Sequence, residues 1–422
     1  MSVFFRDILA VTPEWEQKVN IFVEKEKIAY IGGEEKAADI VVDGKNKMVI
    51  PGLVNTHSHA AMTMLRSAAD ALPLEKWLED YVYPIEERLT PQAFYVGSML
   101  GFAEMIQSGV TCVSDMYMNP RNVALSAIEC GISLNISRGL TDAGCCSVED
   151  NPRNRESQEL FEEFHNYDNG RILVELAPHA IYACSVNYLE YIAKLAQKWS
   201  VGIHTHLSET QKEHSECIRK YSKTPAQVMH DAGIFKSRCV AAHGVYLTDN
   251  DLLLLKENNV SVVNCPESNL KLGSGICDVA RLHNAGINVA LGTDGAASNN
   301  NLNMIEEMHV GAILTNGFRC DASAIGPSFA LRMATQNGAD ALGRPNTGRL
   351  EVGCYADLAV LDIDSLHFYP QRNMRSNLVY CAQGGDVVMT MARGKILYNN
   401  GEFTTIDIER IKSEFCTLFN LL

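Results

Sequence analysis

The sequence predicts an α/β fold: a (β/α)8 barrel of the TIM type joined to a small β-sandwich domain built from both chain ends. Three observations predict it. Between residues 51 and 345, apolar runs alternate with helical patterns eight times. Residues 1–50 and 346–422 instead carry short β segments, and are assigned to the small domain. The polar residues best suited to chemistry gather where the apolar runs of the 51–345 barrel end, marking it as the catalytic, metal-binding part.

The first segments, "VNIFV" (19–23), "IAYI" (28–31) and "DIVV" (39–42), have turn chemistry between them at Gly32-Gly33 and Asp43-Gly44. They predict a small antiparallel sheet. The barrel opens with "PGLVNTH" at 51–57. A helix follows at "TPQAFYVGSMLGFAEMIQSG", capped by Thr90, started by Pro91 and stopped by Gly109. The other strands are "VTCVSD" (110–115), "ISLNISRG" (132–139), "RILVELAPH" (171–179), "VGIHTHLSE" (201–209), "CVAAHG" (239–244), "VSVVNC" (260–265) and "INVALGTDG" (287–295). Helical patterns such as 121–130 and "SVNYLEYIAKLAQKWS" separate them. Apolar strands alternating with helices imply a parallel sheet covered on both faces, and eight imply closure. After "GRL" (348–350), the stretches "DLAVLDI", "NLVYCA" and "DVVMTMARGKILYNNGEF" read as β segments that rejoin the N-terminal ones.

Composition narrows the function. The 422 residues are 46% hydrophobic and 21% charged, an ordinary globular balance. A net charge of −15 with no basic run repels phosphate backbones and anionic lipid, which argues against nucleic-acid and membrane partners. No apolar stretch approaches bilayer length, and no basic region marks a signal peptide. Thirteen scattered cysteines without C-x-x-C spacing read as free thiols, so the expected location is cytoplasmic. A homo-oligomer is compatible with all of this.

The polar residues carry the chemistry. His57 and His59 follow strand one, and His179 follows strand four. His204 and His206 end strand five, His243 ends strand six and Asp294 ends strand eight. All fall at carboxyl ends of strands, the face where barrel enzymes assemble their sites. In a strand, residues i and i+2 share a face, so H-x-H sets two imidazoles side by side. With His206 and Asp294 they would make an N₃O shell, completed by water, that suits Zn²⁺ and more weakly Fe²⁺ or Mn²⁺. His204 shares the face of His206 and is read as a supporting or structural residue.

"PGLVNTHSHAAM", "HTHLSE", "AAHG" and "LGTDGAASNNNLNM", in this order, resemble the metal-dependent amidohydrolase superfamily, and "GRLEVGCYADLAVLD" is similar to its returning small domain. More narrowly the chain resembles the 5-methylthioadenosine/S-adenosylhomocysteine deaminase branch. The resemblance implies a nucleoside substrate and hydrolytic deamination of its adenine ring by a metal-activated hydroxide. Binuclear members end strand four with a modified lysine; "RILVELAPHA" has none, which implies one divalent ion per subunit. Glu209 matches the carboxylate that contacts and protonates ring N1. Asp294 would ligate metal and take the water proton, and His243 would hold that water and steady the oxyanion. Glu86 matches a carboxylate on the ribose hydroxyls, His179 a substrate contact, and Arg138 a partner for an amino-acid carboxylate. A second arginine aligns best with Arg155, with Arg153 close by. The rivals are a deaminase or chlorohydrolase of another heterocycle (guanine, a pterin, a triazine) and a non-catalytic scaffold.

Overall fold

The structure is a computed structural model that describes residues 1–69, 71–72, 74–142 and 147–421. Eight barrel strands run in parallel: Leu53–His59, Val110–Tyr117, Ser133–Leu140, Ile172–Pro178, Ile203–Leu207, Cys239–His243, Ser261–Asn264, and an eighth in two pieces, Val289–Leu291 and Asp294–Gly295. The first piece pairs with strand seven. The second pairs with strand one, Asp294 opposite Ser58 and Gly295 opposite His59, and so closes the barrel. Gly292 lies at the break, where a Cβ would come within 2.8 Å of the His57 backbone nitrogen. Only glycine lets strand eight press this closely on strand one.

The helix after strand one spans Pro91–Gln107, with Thr90 accepting from the Ala93 N–H and Gly109 turning the chain at φ 95°. At the amino-terminal end of the barrel, inward-facing Val54, Cys112, Val240, Val263 and Ala290 pack against Ala339, Ala341 and Leu342. The helix Gln336–Ala341 thus plugs that end, and the cavity described below opens at the other.

The second sheet joins the two chain ends. Strands Ser2–Val11, Glu16–Glu24, Lys27–Gly32, Ile40–Asp43 and Lys47–Pro51 associate with Leu358–Asp362, Val387–Ala392, Lys395–Asn399 and Glu402–Phe403. The seam is the antiparallel pairing of Lys47–Pro51 with Leu358–Asp362. Alternation along it divides the molecule: Met48, Ile50, Ala359 and Leu361 enter the large core, while Val49, Leu358 and Val360 enter the small one. The expected antiparallel sheet is corrected to a mixed one, because Ser2–Val11 runs parallel to both Ile40–Asp43 and Lys47–Pro51.

One segment departs from its expected type. "NLVYCA" lies largely in a helix, Met374–Tyr380, whose first turn is capped by Asn373 accepting from the Ser376 N–H. Met374 and Leu378, four apart, are both buried in the large core, and this helical period overrides the β propensity of the Leu378–Tyr380 run. The eleven described cysteines are free, and Cys145 and Cys146 lie outside the described residues. No helix among the described residues is long and apolar enough to cross a membrane.

Candidate active site

Strand ends one, five, six and eight converge on a single point. His59 Nε2 lies 3.2 Å and His57 Nε2 3.4 Å from Asp294 Oδ1, and His206 Nε2 lies 3.4 Å from His59 Nε2. Donors about 2.1 Å from a tetrahedral centre stand about 3.4 Å apart, so these spacings fit one cation. The far side of each imidazole is already engaged. His59 Nδ1 donates to the Met116 carbonyl at 2.6 Å and His206 Nδ1 to the His179 carbonyl at 2.8 Å. His57 Nδ1 meets His204 Nε2 at 2.8 Å, and Ser114 Oγ is 3.2 Å from His204 Nδ1. Each proton is thereby held on Nδ1 and each Nε2 lone pair is turned inward. His57 Nε2 is fully buried and makes no hydrogen bond among the described residues, though Asp294 Oδ1 lies 3.4 Å away.

The electrostatics agree. Burial lowers His57 to about 4 and takes His206 well below its ordinary value, leaving neutral imidazoles. His59 differs: burial lowers its pKa, but the contact with Asp294 outweighs that and holds it at about 9. A cation seated here competes with that proton. Burial would raise Asp294, yet the contacts with His57 and His59 bring it well below the carboxylate range. Its other oxygen accepts from Ser268 Oγ at 2.6 Å and Ser298 Oγ at 2.8 Å. Ser208, His243 and Asp294 sit at positive φ (50°, 74° and 58°), strained conformations at the turns leaving three of these strands.

Around this point lies a cavity of about 670 Å³ lined by Glu86, Arg138, Arg153, His179, Glu209 and His243 among others. Glu209 accepts from Ser274 Oγ at 3.3 Å and lies 3.9 Å from His243 Nε2; burial raises its pKa and favours the protonated carboxyl. His243 Nδ1 donates to Asn269 Oδ1 at 2.9 Å, which leaves Nε2 as an acceptor. His179 is held neutral, at about 4, by burial, and its Nδ1 has no partner among the described residues. Glu86 is buried, its pKa raised by that burial, and accepts from the Tyr117 hydroxyl at 2.6 Å.

Arg155 is not brought here. Its side chain is 84% exposed on the helix Pro152–Phe164 and pairs with Glu159, whereas Arg153, two positions earlier, lines the cavity. The supporting residues Tyr117, Ser268, Asn269, Ser274 and Ser298 carried no signal in the sequence. Glu213 is buried and accepts from the backbone N–H groups of Ser208 (3.2 Å) and Glu209 (2.7 Å), pinning the turn that carries Glu209. Only its position three residues after the helix cap Thr210 hinted at a capping role.

Three imidazoles and one carboxylate at the open rim of a plugged parallel barrel define a class: metal-dependent barrel hydrolases. The amidohydrolase family matches residues 48–397, and the chain belongs to that family. A 5-methylthioadenosine/S-adenosylhomocysteine deaminase from Thermoanaerobacter pseudethanolicus is 41% identical over 97% of both chains. The crystal structure of an adenosine deaminase from Xanthomonas campestris, with bound zinc, superposes with a TM-score of 0.95 at 31% identity, covering 100% of this chain and 99% of that one. An atrazine chlorohydrolase from Arthrobacter aurescens, complexed with zinc, superposes at 0.92 with 22% identity, covering 99% and 100%, and shares the fold.

Proposed function

We propose that the protein hydrolyses the C6–amino bond of 5′-modified adenosines (5-methylthioadenosine, S-adenosylhomocysteine and related nucleosides), giving the inosine analogue and ammonia. The observation that carries this reading is that the cavity lined by His59, His206 and Asp294, with His57 buried against Asp294, is also lined by Glu209, Glu86 and Arg138. A bare heterocycle needs neither a ribose-binding carboxylate nor a guanidinium.

His57, His59, His206 and Asp294 would hold one divalent ion per subunit, and an N₃O donor set of this kind suits Zn²⁺. Such an ion, when bound, supplies Lewis acidity that lowers the pKa of a coordinated water to about 7. Asp294 accepts a proton from the attacking water. His243 Nε2 accepts a hydrogen bond from the same water and, while it holds the second water proton on its way to Glu209, donates to the oxygen that develops charge. Glu209 delivers its proton to N1, so the ring does not accumulate negative charge as C6 becomes tetrahedral. Asp294 then passes its proton to the amino group, ammonia leaves, and the second water proton restores Glu209. Glu86 accepts from the ribose hydroxyls, His179 contacts the base or sugar, and Arg138 faces the 5′ tail, with Arg153 beside it in place of Arg155.

The test is ammonia release by purified protein from adenosine, methylthioadenosine, S-adenosylhomocysteine and guanine, with the metal content measured. Release from guanine alone would remove this reading. Glu209→Gln should keep its metal and lose turnover, and normal speed in that variant would end the assignment of Glu209.

A further inference from the structure

Glu209 changes charge in the reaction proposed above: it is neutral before it protonates N1 and a carboxylate until a water proton returns. At 6% exposure that carboxylate has little water to stabilise it. Among the described residues, the one hydrogen-bond donor its side chain meets is Ser274, whose Oγ lies 3.3 Å from Oε1. Ser274 is itself buried, and its hydroxyl has no other acceptor among the described residues, so its proton points at Oε1. Oε2, 3.9 Å from His243 Nε2, is then the oxygen that carries the Glu209 proton. It stands on the side of the imidazole from which the second water proton arrives.

The chain around Ser274 aims it inward. Gly273 and Gly275 flank it at φ 67° and 128°, and a Cβ on Gly275 would come within 2.9 Å of the Val245 side chain. The Ser274 N–H donates to the Asn269 carbonyl at 2.9 Å, while the Asn269 side chain accepts from His243 Nδ1. Asn269, buried on the helix Pro266–Lys271, therefore fixes both His243 and the residue that meets Glu209. Ser268, beside it, donates to Asp294. The segment after strand seven thus touches all three groups that carry protons.

We propose that Ser274 is a positioning residue for the acid step: its hydroxyl keeps the Glu209 proton on Oε2 and stabilises the carboxylate left when that proton passes to N1. The O–H bond of Glu209 breaks, its electron pair stays on the carboxylate, and the N1–H bond forms. A hydroxyl bonded to an ionised oxygen is held about twice as strongly as one bonded to a neutral oxygen. The Ser274 bond therefore tightens as the proton leaves, and an interaction that grows toward the transition state raises kcat without tightening substrate binding. Burial pushes the Glu209 pKa up, and the Ser274 bond is among the contacts that pull it back. The assignment rests on the deaminase reading and adds to it a residue that acts through Glu209.

The experiment is steady-state deamination of methylthioadenosine by the zinc-loaded protein, Ser274→Ala and Ser274→Thr, with metal content and melting temperature measured alongside. Ser274→Ala should lose about fivefold in kcat, the excess of a charge-assisted over a neutral hydrogen bond, with KM unchanged within about twofold and metal content intact. Ser274→Thr, which returns the hydroxyl, should recover most of that loss. A Ser274→Ala kcat equal to the parent's, an equal loss in Ser274→Thr, a KM that rises in step with the fall in kcat, or a loss matched by missing metal overturns the proposal. If the parent releases no ammonia from any adenosine, the deaminase reading fails and this assignment with it. If the parent is active and Ser274→Ala matches it, this assignment alone fails.

Discussion

Tyr117→Phe isolates one hydrogen bond in the nucleoside site. The tyrosine is 4% exposed and its ring packs on Phe94, so phenylalanine fills the same space and loses only the hydroxyl. That hydroxyl donates to Glu86 Oε1 at 2.6 Å, and Glu86 is itself buried. A hydrogen bond to a buried charged group contributes about 2 kcal/mol, equivalent to about a 30-fold change in an equilibrium constant. Burial raises the Glu86 pKa and the Tyr117 hydrogen bond lowers it, so the variant moves that pKa up further. The form that accepts from two ribose hydroxyls is the carboxylate, which is depleted as pH falls. The KM of Tyr117→Phe for methylthioadenosine should therefore rise about 30-fold near neutrality, and the defect should shrink as pH increases. The assay is a KM profile against pH for both proteins, followed by the ultraviolet change as adenine becomes hypoxanthine. A KM equal to that of the parent across the range, or a defect that grows with pH, would refute the role given to Glu86.

Other outcomes follow from the same geometry. Chelation should abolish turnover and lower the melting temperature, and Zn²⁺ should restore both, because His57 and its neighbours lose the cation that offsets their burial. Glu213→Gln places an amide –NH₂ against one of the two backbone donors it now accepts from. It should lower kcat about tenfold or more with little change in KM, in line with an unpaired buried donor near Glu209. Arg155→Ala should alter no kinetic parameter, whereas Arg153→Ala should weaken S-adenosylhomocysteine more than methylthioadenosine; equal effects from the two would reverse their placement.

The expected helix and strand types were legible wherever local rules act. Thr90 and Pro91 announced a helix start because capping is settled within four residues, and the strands from "VTCVSD" onward showed as short apolar runs between helical patterns. "NLVYCA" misled because its apolar run suits either period, and the choice depends on what the Met374 and Leu378 side chains pack against. Arg153 and Arg155 differ by two positions, about 200° around a helix, so which one reaches the cavity depends on the rotation of that helix against the barrel.

What the sequence determined by itself was the alternation of strand and helix and the H-x-H pair at the end of strand one. Both are consequences of repeat distances carried by the chain wherever it goes. The tertiary structure alone set the distances at which Asp294 meets His57 and His59, and alone decided that Tyr117 holds Glu86 and that Glu156 stands beside Arg138. Those contacts join residues on different strands, helices and loops, and they exist because strand eight closes on strand one and brings the carboxyl ends of all the strands to one rim.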